Sequence, residues 1–198
     1  SGVTPTPAPT LSPTPAAAVT PVLTPSPQPT PTPIATIIPV LPTAELVTDI
    51  EDEEPVSWKI DAGGILIQDV NIESNSADVS VDIAAGTRAL TSEGIPLTHI
   101  TVMRENTPSS PDDGYNIIAA FEFTPNGATF NPPITITISY DSEDLPPGTD
   151  ESDLMVAYFD SGTGLWEYVS LVDIDTEAHT ATFSVGHFTV FAVLAYGG

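Results

Sequence analysis

Ile134-Thr135-Ile136-Thr137-Ile138 alternates apolar and polar residues without a break, and Val79-Ser80-Val81-Asp82-Ile83 does the same. A period of two puts every second side chain on one face, which is the pattern of a strand with one face in a core and one in water. Ile100-Thr101-Val102-Met103 and the stretch from Phe183 to Val193 repeat it. Trp58 to Asp61, Ile65 to Ile72, Tyr115 to Phe123, Leu154 to Phe159, Leu165 to Val169 and Leu171 to Ile174 are further candidates. Turn-forming clusters separate them: Asn75-Ser76, Ala85-Gly86, Ser109 to Gly114, Pro146-Pro147-Gly148 and Ser161 to Gly164. About ten short strands at this spacing predict an all-β fold, a single antiparallel β-sandwich. No window reads as a full helix; Ser152-Asp153-Leu154 can close one helical turn. The phase of alternation predicts a core of Ile67, Val79, Val81, Ile100, Val102, Phe121, Phe123, Ile134, Ile136, Ile138, Val156, Trp166, Phe183, Val185 and Phe191.

Upstream, the character changes. Residues 1–48 hold 13 of the 22 prolines and one charged residue, Glu45. Proline fixes φ and removes a backbone donor, so this stretch favours an extended, polyproline-II-like chain with no core of its own. Within it, residues 34–48 gain Ile34, Ile37, Ile38, Val40, Leu41, Leu46 and Val47, an apolar set suited to gripping a partner. Pro39 and Pro42 allow at best an edge strand there. The expected organisation is a Thr/Pro tail over 1–48 with a docking segment at 34–48, an acidic hinge over 49–56, and the sandwich over 57–198. Serine/threonine-rich stretches with proline also read as O-glycosylated stalks. The candidate acceptors are Thr4, Thr6, Thr10, Thr14, Thr20, Thr24, Thr30 and Thr32. No Asn-x-Ser/Thr acceptor is present.

Charge narrows the partners. Lys59, Arg88 and Arg104 stand against 27 acidic residues, for a formal charge of −24. Such a surface repels nucleic acid and anionic lipid. With no cysteine there is neither a disulfide nor a thiolate metal site. Ile34 to Leu41 and Phe183 to Tyr196 fall short of the roughly 20 apolar residues that span a bilayer, so no membrane span is expected. The first residue is Ser and no signal peptide is visible, which suits a chain already processed.

Five stretches in order carry a resemblance. They are Gly86-Thr87-Arg88-Ala89-Leu90-Thr91-Ser92-Glu93-Gly94-Ile95-Pro96-Leu97, Phe123 to Ile134, Tyr140-Asp141 through Pro146-Pro147-Gly148, Tyr158 to Trp166, and His187-Phe188-Thr189-Val190-Phe191. From about Gly63 to Ala195 the chain resembles a module of archaeal and bacterial cell-surface proteins, similar to the ZU-type β-sandwich of ankyrins and netrin receptors. That resemblance implies an extracellular β-sandwich used for structure and interaction, with no cofactor.

Three chemical readings remain. In some ZU-type domains a His-Phe-Ser sequence cuts itself; here Thr189 would attack the Phe188 carbonyl with His187 as base. The alternative is an ordinary packed strand. Carboxylates at Asp112-Asp113, Asp141 to Asp144, Asp150 to Asp153 and Asp173 to Glu177 offer oxygens to calcium, but none follows the 12-residue calcium-loop pattern, and acidic turns facing water are the favoured reading. No phosphate loop, nucleophile elbow or histidine metal spacing is present, so no enzyme is expected. The leading expectation is a structural subunit whose tail docks on the sandwich of another copy, forming a filament or array. The other is a stalked adhesin or carbohydrate-binding module, with Tyr115, Trp58 or Trp166 stacking on sugars.

Overall fold

Ile134 to Ile138 lies in the longest strand among the described residues, β8 (Thr129–Ser139), and faces Val79 to Ile83 of β4 (Val79–Ile83) across an antiparallel ladder. Ile138 stands opposite Val79 and Ile136 opposite Val81, all four buried, so the two clean alternations meet face to face. This computed structural model describes residues 44–50, 56–106 and 114–197, together with Gly2, Ala16, Pro108 and Pro111.

Thirteen strands are present among the described residues, with two single turns of 3-10 helix at Ser142–Asp144 and Glu151–Asp153. The remaining strands are β1 (Ala44–Ile50), β2 (Val56–Ile60), β3 (Val70–Glu73), β5 (Arg88–Leu90), β6 (His99–Arg104), β7 (Tyr115–Thr124), β9 (Met155–Asp160), β10 (Leu165–Val169), β11 (Leu171–Asp175), β12 (Thr180–His187) and β13 (Val190–Tyr196). They form two sheets. The first runs β10-β9-β13-β7-β6-β1-β2; the second runs β11-β12-β8-β4-β3, with β5 also paired to β8. Only Ser170 separates β10 from β11, so the chain steps from the edge of one sheet to the edge of the other in one residue.

The architecture is the expected all-β sandwich, with more strands than the ten anticipated. The apolar stretch 183–193 breaks into two strands. A register irregularity lies between Val185 and His187, and the Phe188 N–H turns to the Ala128 carbonyl at 2.9 Å. β5 is short, and β1 comes from the Pro-rich region. Pro39 and Pro42 precede β1, so they remove no donor from it, and the strand is flanked on both sides rather than lying at an edge. The described residues from Ala44 onward belong to one compact unit.

The core between the sheets is aromatic. Phe191 of the first sheet and Phe183 of the second lie 5.3 Å apart between ring centroids, and Phe123 packs on both Phe188 and Phe191. Two expected core residues lie elsewhere. Ile67 is 53% exposed, because the segment after Gly64 makes isolated bridges rather than a regular strand and points Leu66 inward instead. Trp166 is half-buried on the outer face of the first sheet, edge-on to Phe159 at 5.5 Å. Its strand, β10, is an edge strand in which Val169 packs against the core. Asp160 to Gly164 forms the expected hairpin turn: Gly164 donates to the Asp160 carbonyl at 2.7 Å, and the Asp160 carboxylate accepts from the Gly162 N–H.

Candidate assembly surface

The one part of the docking segment among the described residues is the end that enters the sandwich. Leu46 and Val47 lie in β1, opposite Trp58 and Ser57 of β2. Ile34, Ile37, Ile38, Val40 and Leu41 lie outside the described residues, as do all eight candidate glycan acceptors, Thr4, Thr6, Thr10, Thr14, Thr20, Thr24, Thr30 and Thr32. β1 pairs antiparallel with β2 and parallel with β6, where Thr48 stands opposite Ile100 and Ile50 opposite Val102. It therefore fills a place with strand edges on both sides. Asp49 and Ile50, assigned to the hinge by composition, belong to this strand.

β2 has ties to the chain besides its ladder with β1. Ile60 is fully buried and bridges to Leu66, the Ile67 N–H donates to the Lys59 carbonyl at 3.1 Å, and Trp58 packs against the core. On the opposite side β6 is held by β7, with Ile100 and Val102 fully buried. Both edges that receive β1 are anchored by other parts of the chain.

A second apolar layer covers the outer face of the first sheet. Ala120, Ala192 and Ala157 are register partners across β7, β13 and β9, and with Leu194 they form a buried cluster under Tyr115, Ile117 and Trp166. Tyr115 packs edge-on against Tyr196 at 5.4 Å and Tyr168 at 6.1 Å, and both partners are more than half exposed. Sequence reading by alternation misses this layer. Its signal is the unbroken run Phe191-Ala192-Val193-Leu194-Ala195, since a strand covered on both faces loses its alternation.

The geometry at His187-Phe188-Thr189 bears on self-cleavage. The Thr189 hydroxyl is buried and donates to the Phe159 carbonyl at 2.7 Å. The His187 ring packs edge-on against Tyr158 at 4.9 Å, and no hydrogen bond joins it to Thr189 among the described residues. The Phe188 carbonyl accepts from the Gly127 N–H at 2.9 Å. The hydroxyl thus serves as a clasp between the β12–β13 corner and β9. Thr189→Val is expected to keep the fold and lose about 1–3 kcal/mol, the usual effect of leaving a buried acceptor without its donor. The wild-type chain is expected to keep its full-length mass on prolonged incubation; urea unfolding and intact mass spectrometry check the two statements.

The acidic loops are bound up in local turns. Asp141 accepts from the Glu143 N–H, Asp150 from the N–H and hydroxyl of Ser152, and Asp175 from the Glu177 and Ala178 N–H groups. Among the described residues no group of three or more metal-binding side chains converges, and no helix is long and apolar enough to cross a membrane. Asp112 and Asp113 lie outside the described residues.

One acidic loop is tied to the sandwich by a network. Glu151 accepts from the buried Tyr140 hydroxyl at 2.8 Å and pairs with His179 Nδ1 at 2.9 Å. The bonds from His179 and then Tyr140 hold the Glu151 carboxyl below the usual carboxylate range. Burial first, and then the bond to Glu151, pushes the Tyr140 phenol well above its ordinary value. A depressed carboxylate stabilises the fold above its unfolded pKa, and that stabilisation is lost as pH falls through the folded pKa. The difference in melting temperature between wild type and Glu151→Gln is therefore expected to be largest near neutral pH and to narrow below the ordinary glutamate range. A difference independent of pH would contradict it.

No protein-family model matches the sequence, and no curated protein matches it significantly.

Proposed function

We propose that this chain is an extracellular structural subunit that assembles head-to-tail, the N-terminal segment of one copy docking on the sandwich of the next, with O-glycans on the Thr/Pro tail. The observation that carries this reading is the placement of β1: the end of the N-terminal segment is taken up by backbone pairing between two strands. Strand addition gains main-chain hydrogen bonds from any extended segment and specificity from alternate side chains. A head-to-tail contact is heterologous and propagates into a filament unless its rotation closes. The resemblance to cell-surface modules and the strongly acidic composition accord with an extracellular setting.

Negative-stain microscopy of wild type and of chains lacking residues 1–33 or 1–50 tests the reading. Wild type and the shorter deletion are expected to form fibres or arrays, and the longer deletion only particles. A peptide spanning 34–50, added in excess to wild type, is expected to shorten the assemblies, and this arm does not require the truncated chain to fold. Assembly by the 1–50 deletion, or insensitivity to the peptide, would overturn the proposal.

The exposed Tyr115–Tyr168–Tyr196 cluster favours a second reading, a stalked module that binds sugar through stacked rings. A glycan screen with wild type and Tyr168→Ala decides it: binding that the substitution abolishes supports it, and no binding by wild type removes it.

A further inference from the structure

We infer that β1 is an exchangeable strand: Ala44–Ile50 of one copy can fill the place between β6 and β2 of another. This rests on the head-to-tail reading above and names its acceptor. First, the β1–β6 pairing is the one parallel pairing among the described strands; every other is antiparallel. Its sole sequence-local tie to the sandwich is the connection to β2.

Second, the sequence of that connection favours extension. The residues between β1 and β2 are Glu51-Asp52-Glu53-Glu54-Pro55, four consecutive carboxylates and a proline. Like charges in a row repel one another and extend a linker. Pro55 biases Glu54 away from helical backbone toward extended conformations. Mutual repulsion of four consecutive carboxylates favours an extended connection, which suits a link between two copies.

Third, both receiving edges have ties of their own: β2 through the Ile60–Leu66 bridge and the Ile67–Lys59 hydrogen bond, and β6 through its ladder with β7. The closed and exchanged forms then share the same strand pairing and differ in which copy supplies β1. The balance between them is set by that connection and by protein concentration. Pro42 lies two residues before β1 and limits its extension upstream, so the exchanged element has a defined length.

The chain has no cysteine, which makes the test direct. Val47 stands opposite Ser57 across the β1–β2 ladder, and paired positions of this kind lie within disulfide reach. Val47→Cys and Ser57→Cys chains, made separately, are mixed while dissociated, allowed to assemble and oxidised. Neither can form the 47–57 bridge within itself. The expected result is a covalent pair on a non-reducing gel, with the 47–57 bridge identified by peptide mass spectrometry. If the mixture assembles and no 47–57 bridge forms, the exchange is wrong while head-to-tail assembly stands. If no assembled species forms at any concentration, for these chains or for wild type, the assembly reading fails and the exchange with it. A second pair of variants works through the connection. Deleting 51–55 is expected to remove the monomer in favour of dimers or longer species, and lengthening it with ten glycine and serine residues to favour monomer. A folded monomer from the deletion would overturn the inference.

Discussion

Phe191→Ala is expected to lower the stability of the sandwich by about 3–5 kcal/mol, the range for deleting a buried aromatic from a packed core. Phe191 is fully buried near the start of β13, the strand between β7 and β9. Its ring meets Phe123 of its own sheet at 5.5 Å and Phe183 of the facing sheet at 5.3 Å, and Tyr158 lies 6.3 Å away. Removing it leaves a void where the two layers meet. Neighbouring strands hydrogen-bonded on both sides cannot close over it, so the cavity contribution adds to the lost transfer energy. Domains of this size unfold with a total of about 5–15 kcal/mol, so the substitution consumes a large fraction. The expected fall in melting temperature is roughly 6–20 °C. Phe191→Leu, which refills most of the volume, is expected to recover a substantial part. A loss below about 1 kcal/mol for the alanine variant, measured by urea unfolding, would mean that the sheets are not joined through this ring.

The contrast between Phe191 and Ile67 shows what alternation in the sequence reveals. β4, β8 and β12 each have paired strands on both sides, and the phase read from Val79, Ile136 or Phe183 is the phase observed. Ile65-Leu66-Ile67 is as apolar, but its neighbours are single bridges to Arg88 and Ile60, so no ladder sets its phase. Tertiary contact through Leu66 decides which side faces inward. Trp166 fails for another reason: size and apolarity mark a residue for burial without saying on which face of a sheet. The outer layer of Ala120, Ala157 and Ala192 depends on partners from three separate strands, which no local window contains.

The candidate site was legible in part for the same reason. Leu46 and Val47 were recognisable as apolar residues in an extended segment, and Pro39 and Pro42 argued for an edge. Strand position in a sheet is a property of neighbours distant in sequence: β6 begins about 50 residues after β1. Prolines restrict a strand only where they stand, and β1 begins after both. Of the acidic stretch read as a hinge, Asp49 and Ile50 belong to β1 and Val56 to β2, while residues 51–55 lie outside the described residues.

Gly64→Ala is expected to destabilise the fold by about 2–5 kcal/mol, and Gly86→Ala by considerably less. Both glycines hold positive φ, +78° and +86°, a conformation that costs an L-residue roughly 1–2 kcal/mol. They differ in surroundings. A Cβ at Gly86 meets nothing within 4 Å, so its effect is the conformational one alone. A Cβ at Gly64 falls 2.6 Å from the Ala89 carbonyl oxygen, with Leu90 Cδ2 at 3.1 Å and Pro96 Cα at 3.3 Å. The first and last are backbone and cannot rotate away, which adds the roughly 1–3 kcal/mol typical of overpacking. The Ala89 N–H also donates to the Gly64 carbonyl at 2.8 Å, so moving one strand off the other breaks a bond that fixes the entry from β2. Displacement there reaches β2 through the Asp61 and Ile67 backbone bonds, and β2 is one wall of the place that β1 fills. Gly64→Ala is therefore expected to weaken assembly beyond its effect on the melting temperature, whereas Gly86→Ala leaves assembly at wild-type level. Thermal unfolding and fibre yield for the two variants side by side check this. Equal losses in stability would show that the close approach at Gly64 is absorbed without strain.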